Sequence, residues 1–134
     1  MNEHTAILVR YRLERARESL EEARLLSEQG HANTFVNRLY YACFYAVTGL
    51  LLIDGLSSSK HSGVRALFHQ HFIKTGLVGH ELGLVYDKLF DNRQKGDYAD
   101  LYRFPLDEVI VWHAEACAFV DTIETMVQQK LDQN

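Results

Sequence analysis

Proline and glycine are scarce in this chain, and their scarcity limits the folds it can adopt. The 134 residues include one proline and eight glycines. A β-sandwich or barrel needs a turn signal every ~8–12 residues, and so few turn-forming residues disfavour both folds. The sequence is 47% hydrophobic and 24% charged, a balance typical of a globular protein. The chain is therefore predicted to form a single domain of long helices over residues 1–134.

Apolar residues recur every three or four positions, which is the period of an α-helix. The pattern predicts four long helices, over residues 6–30, 33–54, 80–94 and from 105 onward, with a shorter helix over 63–74. Gly96 is predicted to break the helical pattern, and the stretch GDYADLYRF to form a loop before Pro105. The predicted fold class is all-α: an antiparallel up-and-down four-helix bundle with one extra short helix.

The second predicted helix carries two apolar or aromatic stripes. One consists of Phe35, Leu39, Ala42, Ala46, Gly49 and Ile53, and the other of Arg38, Tyr41, Tyr45, Thr48 and Leu52. A helix with two such faces is buried on two sides. It is either simply the central helix of the bundle or, in addition, the surface through which two copies form a homodimer.

Charge and cysteine usage narrow the functional classes. The net charge of −4 excludes a uniformly basic surface for nucleic acids, although it permits a local basic patch. Cys43 and Cys117 lie in apolar runs without CxxC spacing, so both are predicted to be core residues of a cytoplasmic protein. The longest apolar run, near Ala46 to Ile53, is shorter than the ~20 residues that span a bilayer. No membrane partner is expected.

The seven histidines do not have the spacing of a metal site. His69 and His71 are two positions apart, which places them on different faces of a helix. No HExxH or paired ExxH pattern occurs, and the sequence contains no P-loop, GxGxxG or GxSxG motif. Solvated or hydrogen-bonded histidines are the simpler interpretation. We expect neither a metal nor a cofactor.

Several polar residues lie beside aromatic residues in the predicted fold. They are Arg38 and Tyr41, Lys60 and His61, and the series Arg93, Asp97 and Tyr98. If these residues converge, they form a cationic cleft with aromatic walls, in which arginine binds phosphate and tyrosine stacks on a base. The alternative is structural: Arg93 and Asp97 pair at a helix end, and Tyr98 packs.

Three segments together resemble one known family. The segments are RLYYACFYA, KHSGV and the R-x3-DY series that begins at Arg93. They resemble the HEPN-domain proteins, in particular their small single-domain group in bacteria and archaea, over nearly the whole chain. The resemblance implies an up-and-down four-helix bundle with an extra short helix, which is usually dimeric.

The resemblance also implies a function. Many HEPN proteins are metal-independent ribonucleases, and several are toxins paired with a minimal nucleotidyltransferase antitoxin. Their active motif is an arginine and a histidine separated by four to six residues, and dimerisation brings two motifs into one cleft. The arginine matches Arg93, but no histidine follows before His113, and Tyr98 occupies the expected position. Because the antitoxin of related pairs attaches AMP to a nearby tyrosine, Tyr98 is a candidate acceptor.

The missing histidine leaves three functional hypotheses open. Arg93 can stabilise the charge that develops on phosphate during RNA cleavage, but tyrosine, with a pKa of about 10, is a poor base. His61 is a candidate replacement. The chain is a ribonuclease toxin with Arg93, Asp97 and Tyr98 as catalytic residues, or an inactive HEPN module that binds RNA or nucleotide, or a purely structural partner domain. In the first two cases Arg38, Tyr41, Lys60 and His61 bind the ligand.

Overall fold

The computed structural model describes residues 1–98 and 102–133, and for Tyr98 it describes the backbone alone. The described residues form helices and contain no strand. The helices are α1 (Glu3–Glu28), α2 (Ala32–Ile53), α3 (His61–Phe68), α4 (His80–Tyr98), α5 (Leu106–Val109) and α6 (Trp112–Asp132). The all-α prediction is confirmed: α1, α2, α4 and α6 form the bundle, and α3 is the extra short helix.

Contacts between the helices establish an up-and-down arrangement. Gly30, with a φ of 79°, ends α1 and reverses the chain into α2. Moving along α2 from residue 37 to 40, the partners on α4 run backward from 97 to 93. Tyr86 of α4 packs on Phe119 of α6, while Lys88 reaches back to Glu115. Neighbouring helices in the sequence order α1, α2, α4 and α6 are therefore antiparallel.

Helix α2 is the central element of the bundle. It packs against α1, α3, α4, α5 and α6, and twelve of its residues are buried, including Cys43. By length and composition it could cross a membrane, with a mean hydropathy of 1.3, but 61% of that segment is buried inside the bundle. Extensive burial is what the core helix of a bundle requires, so its apolar composition is weak evidence for a membrane span. The prediction of a central helix is confirmed, and its first stripe is buried except for Ile53. The prediction that the second stripe is buried is wrong: Thr48 is buried, but Arg38, Tyr41, Tyr45 and Leu52 stay partly exposed.

The short helix α3 continues directly into a π-helical segment, His69–Ile73. Helix α3 begins at His61, two residues before the predicted start at residue 63, and Lys60 is its N-cap. Nε2 of His69 lies 2.9 Å from Oδ1 of Asp87 on α4, so this histidine is held by a carboxylate. Within the described residues, no group of three or more potential ligands is placed to hold a metal ion.

Two predicted boundaries at the end of the chain are wrong. Helix α4 does not stop before Gly96 but continues through it to Tyr98. A Cβ atom at position 96 would lie 2.8 Å from Cε2 of Phe104, so close packing explains this glycine. Pro105 is the N-cap of the single-turn helix α5, and α6 begins only at Trp112. Of the predicted loop, residues 99–101 lie outside the described part.

Candidate functional site

Most of the sequence-predicted site residues meet where α2, α3 and α4 pack together. Helix α2 contributes Arg38 and Tyr41, the first turn of α3 contributes His61, and the last two turns of α4 contribute Arg93 and Asp97. Each position follows from helical periodicity, since residues three, four or seven apart share one face of a helix. The three helices thus bring residues that are distant in sequence to one end of the bundle.

Arg93 lies at the centre of the site and is unusually buried for an arginine. Only 9% of its side chain is exposed. Its guanidinium carbon lies 4.7 Å from the ring centroid of Tyr40 and 5.9 Å from that of Phe90. One nitrogen lies 3.7 Å from the carboxylate of Asp97, and Nε has no hydrogen-bond partner among the described residues. Arg93 is a buried cation whose donor capacity is largely unused.

His61 is fixed in position by aromatic residues of α2. Its Nδ1 lies 2.7 Å from the hydroxyl of Tyr40. Its ring stacks on Phe44 at a centroid distance of 4.4 Å and meets Tyr41 edge-on at 5.8 Å. Burial, and secondarily the positive charge of Arg93, lower the pKa of His61 below its ordinary value. The imidazole is therefore neutral at pH 7.

Tyr40 connects the histidine to the arginine. Its side chain is buried against the core, with its hydroxyl at His61 and its ring beneath the guanidinium of Arg93. Burial raises the pKa of Tyr40 to about 12. The hydroxyl thus stays protonated at neutral pH and can donate to, or accept from, the imidazole.

A second series of contacts closes a ring around the site. Asn37 lies 3.4 Å from a carboxylate oxygen of Asp97, and its own side-chain oxygen accepts a hydrogen bond from Nε of Arg38 at 3.1 Å. The guanidinium of Arg38 in turn lies 4.8 Å from the ring centroid of Tyr41, which contacts His61. Arg38, Tyr41, His61, Arg93 and Asp97 therefore belong to one connected cluster.

Two predicted site residues are not placed in this cluster. Lys60 is exposed and acts as the N-cap of α3, where its N–H donates to the hydroxyl of Ser58 at 3.2 Å. Tyr98 ends α4, but its side chain lies outside the described part of the chain. Its roles as a catalytic residue and as an AMP acceptor stay predictions.

Four residues that hold the site together were not predicted from the sequence. Asn37, Tyr40 and Phe44 follow one face of α2 at spacings of three and four, and Phe90 precedes Arg93 by three. This periodicity was a usable signal. However, the same spacing also describes ordinary core packing, and only the contacts with His61 and Arg93 distinguish the two.

The arrangement combines a buried, incompletely paired cation with a neutral, oriented imidazole. A guanidinium of this kind forms charge-assisted hydrogen bonds with a planar or tetrahedral oxyanion such as phosphate. A neutral imidazole can accept a proton near neutral pH. The site therefore has the chemical groups needed to bind a phosphate and, if both groups reach the same ligand, to remove a proton beside it.

Comparisons with known proteins identify the family of this chain. The HEPN domain family matches residues 9–127. A protein of Thermotoga maritima named "UPF0332 protein" is 46% identical over 128 residues, covering 96% of each chain. A protein of Methanocaldococcus jannaschii named "Putative toxin" is 33% identical over 120 residues, covering 89% of this chain and 88% of its own.

One solved structure shares the fold. The crystal structure of TT1696 from Thermus thermophilus has a TM-score of 0.67 to this chain and covers 91% of it and 97% of its own length. At 22% identity, that likeness supports the bundle architecture alone. The family match covers most of the chain, and the relatives align over nearly their whole length. The chain therefore belongs to the HEPN-domain family.

Proposed function

We propose that this chain is a toxin-type HEPN protein that binds the phosphate of RNA or of a nucleotide at Arg93. The observation that carries the proposal is the state of this side chain, which is buried yet, among the described residues, has an unpaired Nε and a single carboxylate at 3.7 Å. Burying a charge without full pairing costs free energy. A phosphate would supply the missing acceptors. The relatives named "Putative toxin" support the toxin class.

RNA cleavage is a second candidate function, and His61 is the observation that favours it. When Nδ1–H donates to the hydroxyl of Tyr40, Nε2 carries a free lone pair. In the proposed step the 2′-oxygen attacks phosphorus, its proton passes to Nε2, and the P–O5′ bond breaks. The leaving O5′ takes a proton from water, and the product ends in a 2′,3′-cyclic phosphate. Arg93 stabilises the charge on the phosphate oxygens.

Binding is tested by titrating purified protein with a fluorescently labelled single-stranded RNA. Because hydrogen bonds to charged groups contribute about 1.5–3 kcal/mol, Arg93→Ala should weaken binding by roughly 10- to 100-fold. Arg17→Ala is the matched control. Arg17 lies on α1 and is already paired with Asp121 and Glu124 of α6, at the surface between these two helices. Equal affinity of Arg93→Ala and the unchanged protein would refute the proposal.

Cleavage is tested separately, with the same RNA in the presence of a chelator. The ribonuclease hypothesis requires 2′,3′-cyclic products that disappear in both Arg93→Ala and His61→Asn. Binding without cleavage would instead identify the inactive HEPN module that recognises phosphate. Cleavage that persists in both variants would indicate a contaminating ribonuclease.

The proposal extends to two partners. The toxin class favours an antitoxin of the minimal nucleotidyltransferase type, with Tyr98 as the residue that receives AMP. Co-expression with the protein encoded beside this chain, followed by mass spectrometry, should show one or more AMP units that Tyr98→Phe removes. A homodimer should give twice the monomer mass by light scattering at tens of micromolar. An unmodified chain would refute the nucleotidyltransferase partner, and a monomer mass would refute the homodimer.

A further inference from the structure

Tyr86 of α4 places a buried hydroxyl next to the residues that hold the Arg93 site. The residue is fully buried, and its ring packs against Phe68 and Phe119 at centroid distances of 5.4 and 6.0 Å. Within the described residues its hydroxyl has no hydrogen-bond partner of ordinary geometry. Among those residues, therefore, no acceptor lies deeper in the core that could take the proton of this hydroxyl.

The hydroxyl of Tyr86 faces that of Tyr40, which in turn contacts His61. The two tyrosine rings lie 6.0 Å apart. Burial raises the pKa of Tyr40 to about 12, and the next largest influence is hydrogen bonding from Tyr86, which lowers it. The contact between the two hydroxyls is looser than an ordinary hydrogen bond. On its other side the hydroxyl of Tyr40 lies 2.7 Å from Nδ1 of His61. Tyr86, Tyr40 and His61 thus form a short polar chain that leads from the core to the site.

This polar chain can be hydrogen-bonded in two directions. In the first, Nδ1–H of His61 donates to Tyr40, Tyr40 donates to Tyr86, and the O–H of Tyr86 is left among aromatic rings without an acceptor. In the second, Tyr86 donates to Tyr40, and Tyr40 donates to a lone pair on Nδ1. The second direction uses both hydroxyl protons, whereas the first buries one unpaired donor. Because an unpaired buried donor is unfavourable, the second direction is preferred by about 10-fold.

The second direction decides which nitrogen of His61 carries the proton. A neutral imidazole has one N–H, so when Nδ1 accepts from Tyr40 the proton is on Nε2. Nε2 makes no hydrogen bond to the described residues and is open to solvent, since the ring is only half-buried. His61 therefore offers a ligand a donor and not a lone pair.

Arg93 and His61 border the same tyrosine. The guanidinium carbon of Arg93 lies 4.7 Å from the ring centroid of Tyr40, whose hydroxyl contacts His61. Burial, and secondarily the charge of Arg93, lower the pKa of His61, so the two side chains lie within electrostatic reach of each other. An N–H beside a guanidinium adds a donor for an oxyanion, whereas a lone pair there would repel it. The second direction thus makes both groups complementary to one anion.

We propose that Tyr40, backed by Tyr86, holds His61 in the Nε2–H form, so that His61 donates a hydrogen bond to the anion at Arg93. Tyr40 is a positioning residue in this arrangement, because it acts through His61. The inference rests on the proposed phosphate site and deepens it by assigning a second donor. It also disfavours cleavage with His61 as the base, since that step needs a lone pair on Nε2 and hence the first direction.

The protonated nitrogen of His61 is observed directly by NMR. Long-range proton–nitrogen spectra at about pH 8, above the usual histidine pKa of ~6.5, distinguish a protonated ring nitrogen from one with a lone pair. Comparison with His61→Gln assigns the His61 signals among those of the seven histidines. We expect Nε2 to be protonated in about nine-tenths of the molecules, from the ~10-fold preference for paired donors. A predominantly protonated Nδ1 would overturn the proposal.

Tyr40→Phe tests the positioning role through the sign of a pKa change. A Tyr40 O–H that donates to Nδ1 stabilises the neutral imidazole, so its removal should raise the proton affinity of His61 by about 10-fold. If Nδ1–H donated to Tyr40 instead, the bond would favour the charged ring, and its removal would lower the pKa. A lowered or unchanged His61 pKa in folded Tyr40→Phe would therefore contradict the positioning role.

Tyr86→Phe is the matched control for this measurement. It removes a buried hydroxyl from the same polar chain but keeps the bond between Tyr40 and Nδ1. The pKa of His61 should change less than in Tyr40→Phe, whereas a purely structural role of the tyrosines would alter the melting temperatures and leave the His61 pKa unmoved in both variants.

The donor role is tested with adenosine 5′-monophosphate, which carries a single phosphate. His61→Leu should weaken its binding by about 10-fold, since hydrogen bonds to charged groups are the stronger ones. His61→Gln keeps a side-chain N–H and should weaken it less. Equal affinity of His61→Leu and the unchanged protein would refute the donor role.

The outcomes separate this inference from the proposed function. If the nucleotide binds and Arg93→Ala abolishes binding, but His61 carries its proton on Nδ1, the phosphate site stands and this inference is wrong. If His61 carries its proton on Nε2 but the unchanged protein binds no nucleotide, the proposed function and the donor role fail together.

Discussion

Two regions of this molecule hold their arginines in opposite ways. The surface between α1 and α6 has a volume of about 530 Å³ and contains Arg10 and Arg17 with three carboxylates, Glu14, Glu124 and Asp132. Arg17 donates two hydrogen bonds to Glu124, at 2.9 and 3.1 Å, and also pairs with Asp121 at 2.8 Å. In the second region, where α2, α3 and α4 meet, Arg93 has a single carboxylate at 3.7 Å and an Nε without a partner within the part of the chain that the structure describes.

The difference teaches that charge pairing identifies a site better than cavity size. The α1–α6 surface encloses about 530 Å³, but its cation Arg17 is 41% exposed and already satisfied by neighbouring acids. Surface pairs of this kind contribute little to stability. Arg93, at 9% exposure, carries the desolvation cost without the compensating bonds. A phosphate would complete one site and would have to displace carboxylates at the other.

The largest expected effect is on RNA affinity, when Arg93 and, for comparison, Arg17 are each replaced by methionine. Arg93→Met should reduce RNA affinity by roughly 10- to 100-fold, while its melting temperature stays equal or rises, because methionine fills an apolar space without a buried charge. Arg17→Met should leave affinity unchanged. Titration and thermal unfolding of both variants measure the contrast. A marked loss of stability in Arg93→Met would mean that the arginine serves the fold and not a ligand.

A pair of helix glycines gives the next largest effect. A Cβ at Gly96 would lie 2.8 Å from Phe104, so Gly96→Ala should destabilise the protein by about 1–3 kcal/mol. A Cβ at Gly49 would make ordinary contacts near α1, at 3.4 Å or more. Gly49→Ala should therefore stabilise by up to ~1 kcal/mol through helix propensity.

Denaturant unfolding of the two glycine variants tests whether packing is tighter at Gly96, against Phe104, than at Gly49, against α1. Equal stability of the two variants would contradict the close packing assigned to Gly96.

Acid pH should act at the Arg93 end through His61. The pKa of His61 is lowered in the folded protein by burial and by Arg93, whereas the unfolded chain has a value near 6.5. Below that value the unfolded state binds the additional proton first. Stability is thus present above about pH 6.5 and is lost as pH falls from there through the lower folded pKa. The free energy of unfolding, measured at several pH values across this range, should depend less on pH in His61→Gln than in the unchanged protein. An equal dependence on pH in the two proteins would contradict the assignment to His61.

The smallest effect should come from the α1–α6 ion pairs. Arg17→Ala removes ion pairs with Asp121 and Glu124 that are largely exposed, so it should cost about 0.2–1 kcal/mol, and less at high salt. Thermal unfolding at low and high ionic strength measures this. A large, salt-independent loss would show that Arg17 is as important to the fold as a core residue, and the comparison between the two regions would then fail.

The fold was largely accessible from periodicity, and part of the site was accessible from residue types. The first stripe on α2 correctly predicted a buried face, because spacing along the chain is retained in a helix. Burial of the second stripe was wrongly predicted, since four of its five residues stay partly exposed. The α4 boundary was not accessible, because a glycine in a helical pattern can mark either a break or a close contact, and only the packing of Phe104 on Gly96 shows which it is. Asn33 also gave no local signal, since its side chain hydrogen-bonds to the backbone of Tyr102 and Phe104, about seventy positions away.

The sequence by itself determined the helices, their apolar faces and the presence of Arg93, His61 and Asp97, because these depend on residue type and on spacing within one helix. Only the tertiary structure decided that Tyr40 joins His61 to Arg93, that Arg93 is buried with an unused donor, and that Asn33 fixes the backbone around Arg103. Those relations depend on distances between separate helices. Distances of that kind, and the burial that alters a pKa or leaves a charge unpaired, exist only once the helices have packed.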